Sequence, residues 1–296
     1  MKLKFAHTQH GVVERLVMRI LFAWVVLHHI PESLAAAAID VPNGLARVVD
    51  LRFLFNPDVY SACRYALYVA LALYVLRIGW SFVLPYLALL SIAVGSINNS
   101  RGAITHHLQI VSLVLLAQMA AHFYSIIRRR RSAAHETAAQ REDRVIFWSQ
   151  QAVVATYVAS ALTKLLSTNG MWFFQSPRIA LQVVKTTEQR YYDSLDAAFS
   201  GSGAAAAEWM AQHPLLVGVV VSLGLLLELT TPVALLGRGF ALCYGVCLLL
   251  FHASVREVMK LTFEYNEYLI WIFLVNVPFW LGLAARRLGS LRNNTH

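Results

Sequence analysis

Apolar runs of about 20 residues recur along almost the whole chain, each long enough to cross a bilayer as a helix. Backbone in hydrocarbon must satisfy its own hydrogen bonds, and continuous rather than alternating runs do so as helices. Eight crossings are expected, near residues 12–30, 62–78, 80–97, 104–127, 145–166, 214–235, 238–254 and 264–284. The expected fold is an all-α polytopic membrane bundle, one domain over residues 1–296, with the lipid bilayer as its first partner. With 58% hydrophobic and 14% charged residues, little is left for a soluble core.

Charge sets the orientation. The formal net charge is +9, concentrated in short connectors such as Arg128–Arg131 and Arg286-Arg287. That pattern is a topology signal, not a nucleic-acid surface, so no nucleic-acid partner is expected. Lys2, Lys4 and Arg15 place the N-terminus in the cytoplasm. Arg77, Arg128–Arg131 with Arg141 and Arg144, Arg238 and the Arg286–Arg292 tail then share that side, and an even count returns the C-terminus to it. A multi-pass protein of the inner (plasma) membrane is expected. The basic start and Ala35–Ala38 mimic a cleavable signal, but Arg15 and Arg19 intrude on its apolar stretch, so a retained first span is expected. Cys63, Cys243 and Cys247 fall in apolar spans without a CxxC motif, which argues against a disulfide framework or structural zinc.

Two outer segments exceed simple turns, 37–60 and 167–213. The second predicts a helix from Ser176-Pro177, where serine caps and proline suits the first turn, followed by a flexible Gly201-Ser202-Gly203. Trp172, Trp209 and Tyr191-Tyr192 suit an interfacial belt.

Polar residues inside the spans carry the functional signal. Lys164 lies near the end of an otherwise apolar stretch, with Tyr157 and Ser160 on the same helical face. A dry lysine near a phenol can act as a base; a lysine near an interface can equally snorkel to water. His28-His29, Asn98-Asn99, His106-His107, Lys164, His252 and the Glu264–Tyr268 stretch all fall at the outer ends of their expected helices, which implies an outward-facing polar chamber. Of the two histidines opening the fourth span, His107 shares a stripe with Gln118, His122 and Ser125. Glu264, Glu267 and Tyr268 share a face, and two carboxylates so close discourage double ionisation. Singly, each histidine reads as a core or interface residue. His107, His252 and Glu264 are metal ligands by type, but no local ligand spacing supports a metal, and none is expected. Arg19 and Glu228 lie deeper, towards the cytoplasm, and are expected to pair with each other or with nearby helices as a structural clamp.

These residues resemble a known family. Tyr157-x-x-Ser160-Ala161-x-x-Lys164-Leu165, followed by Gly170-x-Trp172, is similar to the Tyr-x-x-Ala-Gly-x-x-Lys-Leu…Trp segment of vitamin K-dependent γ-carboxylase and its bacterial relatives, which share the horizontally transferred transmembrane (HTTM) domain. Arg19, Glu228-Leu229-x-x-Pro232, Phe251-His252 and Phe263 extend the resemblance over nearly the whole chain. It implies a membrane enzyme with carboxylase- or quinone-epoxidase-like chemistry and a reduced, vitamin K-like quinone as cofactor. Lys164 would be the base, with His252 and His107 assisting; Tyr157, Trp172, Glu264, Tyr268 and Asn98 would line the substrate pocket. Ser160-Ala161 replaces the family's Ala-Gly, and no large lumenal domain follows the last span. Members with the membrane domain alone include proteins that mature secreted peptides. The alternative is therefore a non-enzymatic membrane partner for the maturation or export of a secreted peptide or protein on the outer face, with 167–213 as its docking surface.

Overall fold

The computed structural model describes residues 8–34, 41–101, 106–131, 136–199 and 201–293; the side chains of 106, 107, 202 and 288–293 fall outside that description. Among the described residues the regular structure is entirely helical, with no strand. Six helices are long and apolar enough to cross a membrane, or seven if a bent pair near the C-terminus counts as one span. The chain is a multi-pass membrane protein. Ala35–Ala38, read against a cleavage signal, lie outside the described residues.

The chain forms two compact units, Met1–Val153 with Trp271–His296, and Val154–Ile270. The first contains α1 (Val12–His29), α2 (Pro57–Leu76), α3 (Trp80–Asn99), α4 (His106–Arg131), the first half of α5 (Ala138–Ser167), and α12 (Val277–Asn293). The side chain of Asn56 caps α2 by accepting from the backbone N–H of Asp58 at 2.9 Å, with Pro57 at the first helical position. Arg77 and Gly79, both left-handed, turn α2 into α3 within the expected tight hairpin. Thr137 and Gln140 cap α5 reciprocally, each side chain bonding the other's backbone N–H.

Phe22, Tyr74 and Phe273 pack as an aromatic cluster in this unit's core. Tyr74 Oη donates to Gln118 Oε1 at 3.0 Å, and Gln118 Nε2 donates to Ser149 Oγ at 3.2 Å, so α2, α4 and α5 are joined by polar contacts rather than by apolar burial alone. Gln118, His122 and Ser125, expected on one stripe, therefore serve packing: His122 meets Ser81 at 3.1 Å and Ser125 accepts from Arg144 at 2.8 Å.

The second unit begins with the rest of α5 and continues through α6 (Trp172–Gln175), a 3-10 turn at Ser176–Arg178, α7 (Ile179–Ser194), α8 (Ser202–Gln212), α9 (Pro214–Leu229), α10 (Arg238–Met259) and α11 (Glu264–Ile270). The helix expected from Ser176-Pro177 forms as α7 from Ile179, but serine does not cap it: Ser176 opens the 3-10 turn before it and its hydroxyl donates back to the Phe173 carbonyl. The flexible linker expected at Gly201–Gly203 does not: Gly201 is the left-handed N-cap of α8, and a methyl group at Gly203 would lie 2.7 Å from Thr187 Oγ1. Glycine at 203 lets α8 approach α7, a packing role that looks identical to flexibility in the sequence.

The last apolar stretch is broken. A π-helical turn, Trp271–Val275, ends at Asn276, left-handed with φ 53°, and the two flanking helical segments meet at 41°. Gln150 Nε2 donates to the freed Phe273 carbonyl at 2.7 Å, and Asn276 Nδ2 donates to Glu14 Oε1 at 2.5 Å. The Gln150 side chain thus takes up a carbonyl that the break would otherwise leave unpaired.

Candidate functional site

Helical spacing puts Tyr157, Ser160 and Lys164 on one face of α5. Facing them is α9, which is buried along Val217, Gly218, Gly224 and Glu228 and exposes Leu215, Leu216, Val219, Val220, Leu223 and Leu226 on its other side. Lys164 Nζ meets Glu228 Oε2 at 2.5 Å, and Ser160 Oγ donates to Glu228 Oε1 at 3.4 Å. The Lys164 ammonium also stands over the Trp172 ring, 5.9 Å from its centroid. Glu228 is buried while the Lys164 side chain keeps 29% of its exposure, so the pair has one dry member and one accessible member.

This contact corrects the depths expected from sequence. Lys164 was assigned to the outer end of its span and Glu228 to the cytoplasmic side, yet they touch. From Pro214 to Glu228 at 1.5 Å per residue is about 21 Å. Lys164, three residues before the end of α5, therefore lies level with the far end of α9 and not with Pro214.

Beside the ion pair lies a second polar pair. Tyr157 Oη and His252 Nε2 are 2.7 Å apart, both buried. The His252 ring packs against Phe263 at 4.9 Å and Phe251 at 5.7 Å. With Tyr157 on Nε2, His252 Nδ1 is buried and meets no hydrogen-bond partner among the described residues, and the same holds for the indole Nε1 of Trp172. Buried polar atoms without partners are rare, and each calls for an explanation. Arg256 pairs with Glu267 at 3.2 Å one turn beyond His252.

The expected site residues divide accordingly. Lys164, Tyr157, Trp172 and His252 come together in the second unit, joined by Glu228, which had been expected only as a clamp. Glu264 is exposed at the start of α11, and it is Glu267 that takes the ion pair, so the two acids do not share one environment. Tyr268 is half-buried on the same helix, its ring 6.2 Å from that of Tyr265. Asn98 lies half-buried at the end of α3 in the first unit, outside this cluster. The backbone of His107 belongs to the first turn of α4, but its side chain lies outside the described residues. Among the described residues no three His, Cys, Asp or Glu side chains gather as a metal-ligand set.

Arg19 pairs within the first unit, in a network absent from the sequence reading. Its Nε lies 3.0 Å from Glu142 Oε1, Arg77 Nη1 lies 2.9 Å from Glu142 Oε2, and Arg15 Nε lies 3.5 Å from Asp143 Oδ1. His10 Nδ1 meets Asp143 Oδ1 at 3.1 Å. Glu142 and Asp143 sit between Arg141 and Arg144 at the head of α5, where local pattern shows only a charged connector. The available signal was three arginines of α1 and the α2 end, each needing an anion inside an apolar protein.

No protein-family model, curated protein or solved structure matches this chain.

Proposed function

We propose that this protein is a membrane enzyme of HTTM type, performing base-assisted, quinone-linked chemistry at Lys164. The observation that carries the reading is the Lys164–Glu228 pair beside Tyr157–His252. Passing the Nζ proton to Glu228 Oε2 leaves a neutral amine and a neutral acid. That amine is then free to accept the proton of a bound hydroxyl. His252 is held by Tyr157 with Nδ1 available to a developing oxyanion, and Trp172 closes one side of the lysine.

The residues fit a reduced quinone. Two buried ring nitrogens without partners suit its oxygens, and the aromatic faces of Trp172 and Phe263 suit its ring. When bound, such a group supplies reducing equivalents; Lys164 takes the proton and Glu228 holds the lysine in place. The finer topology belongs to the same proposal: α1 as an additional crossing, eight in all, both termini cytoplasmic, in the inner membrane.

Mass spectrometry of lipids and quinones co-purifying with wild type and Lys164→Met tests the proposal. A bound quinone whose redox state or occupancy changes in the variant supports it; a quinone unchanged by the substitution refutes it. A second reading, a non-enzymatic partner for a secreted peptide, is favoured by the exposed Tyr192, Leu195 and Trp209 around α7 and α8. Absence of quinone from both samples, with peptide association lost in Trp209→Ala, would select it.

A further inference from the structure

The helix carrying Lys164 stops at Ser167, and Lys164 lies about 21 Å along α9 from Pro214. The hydrocarbon core of a bilayer is about 30 Å thick. A crossing that enters at Pro214 therefore reaches Lys164 past the midplane, and most of a leaflet separates the tip of α5 from the Pro214 level. The following residues fill that height. Phe173 lies against Gly218, where a methyl group would touch its ring and carbonyl at 3.4 Å, about 15 Å along α9 from Glu228. α6 and the 3-10 turn pack along α9, and α7 packs along α10.

The break after α5 satisfies much of its backbone by its own hydrogen bonds. Gly170 N–H donates to the Leu165 carbonyl at 2.8 Å, Met171 N–H to that of Thr168 at 2.9 Å, and Phe174 N–H to that of Met171 at 3.1 Å. Thr168 and Ser176 hydroxyls bond the carbonyls of Lys164 and Phe173, both at 2.8 Å. Irregular backbone at membrane depth requires this satisfaction; an aqueous loop does not. Outward, Phe174 and Leu181 are 71% and 72% exposed, and α9 likewise exposes the apolar Leu215, Leu216 and Val219.

We propose that residues 171–183 are embedded in the bilayer and complete the fifth crossing, with Phe174 and Leu181 against the lipid acyl chains. The segment is a broken span rather than an aqueous docking loop. Its one charge, Arg178, is exposed and long enough to snorkel. Exposed positions turn polar from Lys185 through Gln189 to Asp193, which marks the water boundary. This inference does not depend on the enzymatic reading.

Spin labels test it on the full chain in nanodiscs, with Cys63, Cys243 and Cys247 replaced by alanine. Phe174→Cys and Leu181→Cys are compared with Val219→Cys on α9 and Asp196→Cys beyond α7. Collisions with oxygen should dominate at 174 and 181, as at 219, and collisions with a water-soluble nickel chelate at 196. Nickel-dominated collisions at 174 overturn the proposal. Hydroxyl-radical footprinting of the unmodified chain provides the same decision without substitutions. Met171 should lose oxidation while Tyr192 is oxidised; equal oxidation of both overturns the proposal.

Discussion

Replacing Glu142 by glutamine keeps the side chain's shape and removes the charge on which three arginines converge. The carboxylate lies 2.9 Å from Arg77, 3.0 Å from Arg19 and 3.9 Å from Arg15, and its side chain is 3% exposed. Removing one partner of a buried ion pair costs about 3–5 kcal/mol, because the other charge stays buried. Several contacts soften the loss. Arg19 still donates to the Val75 carbonyl at 2.6 Å, Arg77 to the Ala138 carbonyl at 3.0 Å, and Arg15 keeps Asp143 at 3.5 Å. The lower end, about 3 kcal/mol, is therefore expected. At roughly 2–4 °C per kcal/mol for a chain of this size, the melting temperature should fall by about 6–12 °C. Tryptophan fluorescence of detergent-solubilised protein at one fixed scan rate measures it, since membrane-protein unfolding is commonly irreversible. A fall of less than about 2 °C, the size expected of a solvent-screened surface pair, would refute the assignment of a buried clamp. Pairing Glu142→Met with Arg19→Met sharpens the test: the double variant should lose less than the sum of the singles, by about 1–3 kcal/mol.

Other consequences are open to the same kind of check. Tyr157→Phe leaves the buried His252 without its 2.7 Å partner and should cost about 1–3 kcal/mol, read as a lower melting temperature; an unchanged value would mean the pair contributes nothing. Gly203→Val drives a side chain into Thr187 and the Val183 carbonyl, so α8 should separate from α7, about 1–3 kcal/mol less stable, with faster proteolysis between residues 195 and 201. In the loop before α2, the Arg52 guanidinium and, second to it, the Arg52 backbone N–H donate to the Asp50 carboxyl and hold it below the usual carboxylate range. A depressed acid stabilises the loop above its unfolded value, and the effect is lost as pH falls through the lowered one; a carboxyl NMR titration should show Asp50 rising part of the way to the ordinary range in Arg52→Ala, which keeps the backbone bond.

Legibility in the sequence followed the range of each interaction. Apolar runs are local, so the spans at 80–99 and 214–236 could be placed within a few residues of the observed helices. The face shared by Tyr157, Ser160 and Lys164 is set by helical spacing and needed no tertiary information. The partner of Lys164 did: Glu228 is 64 residues away, and its depth was inferred by assuming that every crossing is a continuous helix. The stop after Ser167 breaks that assumption, and its cue, Asn169-Gly170, reads equally as the start of an outer loop. Glu142 and Asp143 were hidden because a charged connector and a buried anion pair have the same local composition.

The clamp also bears on how the protein is made. His10 and Asp143 are 133 residues apart, and the anions that neutralise Arg15 and Arg19 belong to the same mid-chain segment. During synthesis the first helix therefore emerges carrying buried-type charges whose partners do not yet exist, and it cannot rest stably in lipid alone. The N-terminus is thus the first part of the chain synthesised, yet its charges are neutralised only after half of the chain has been made.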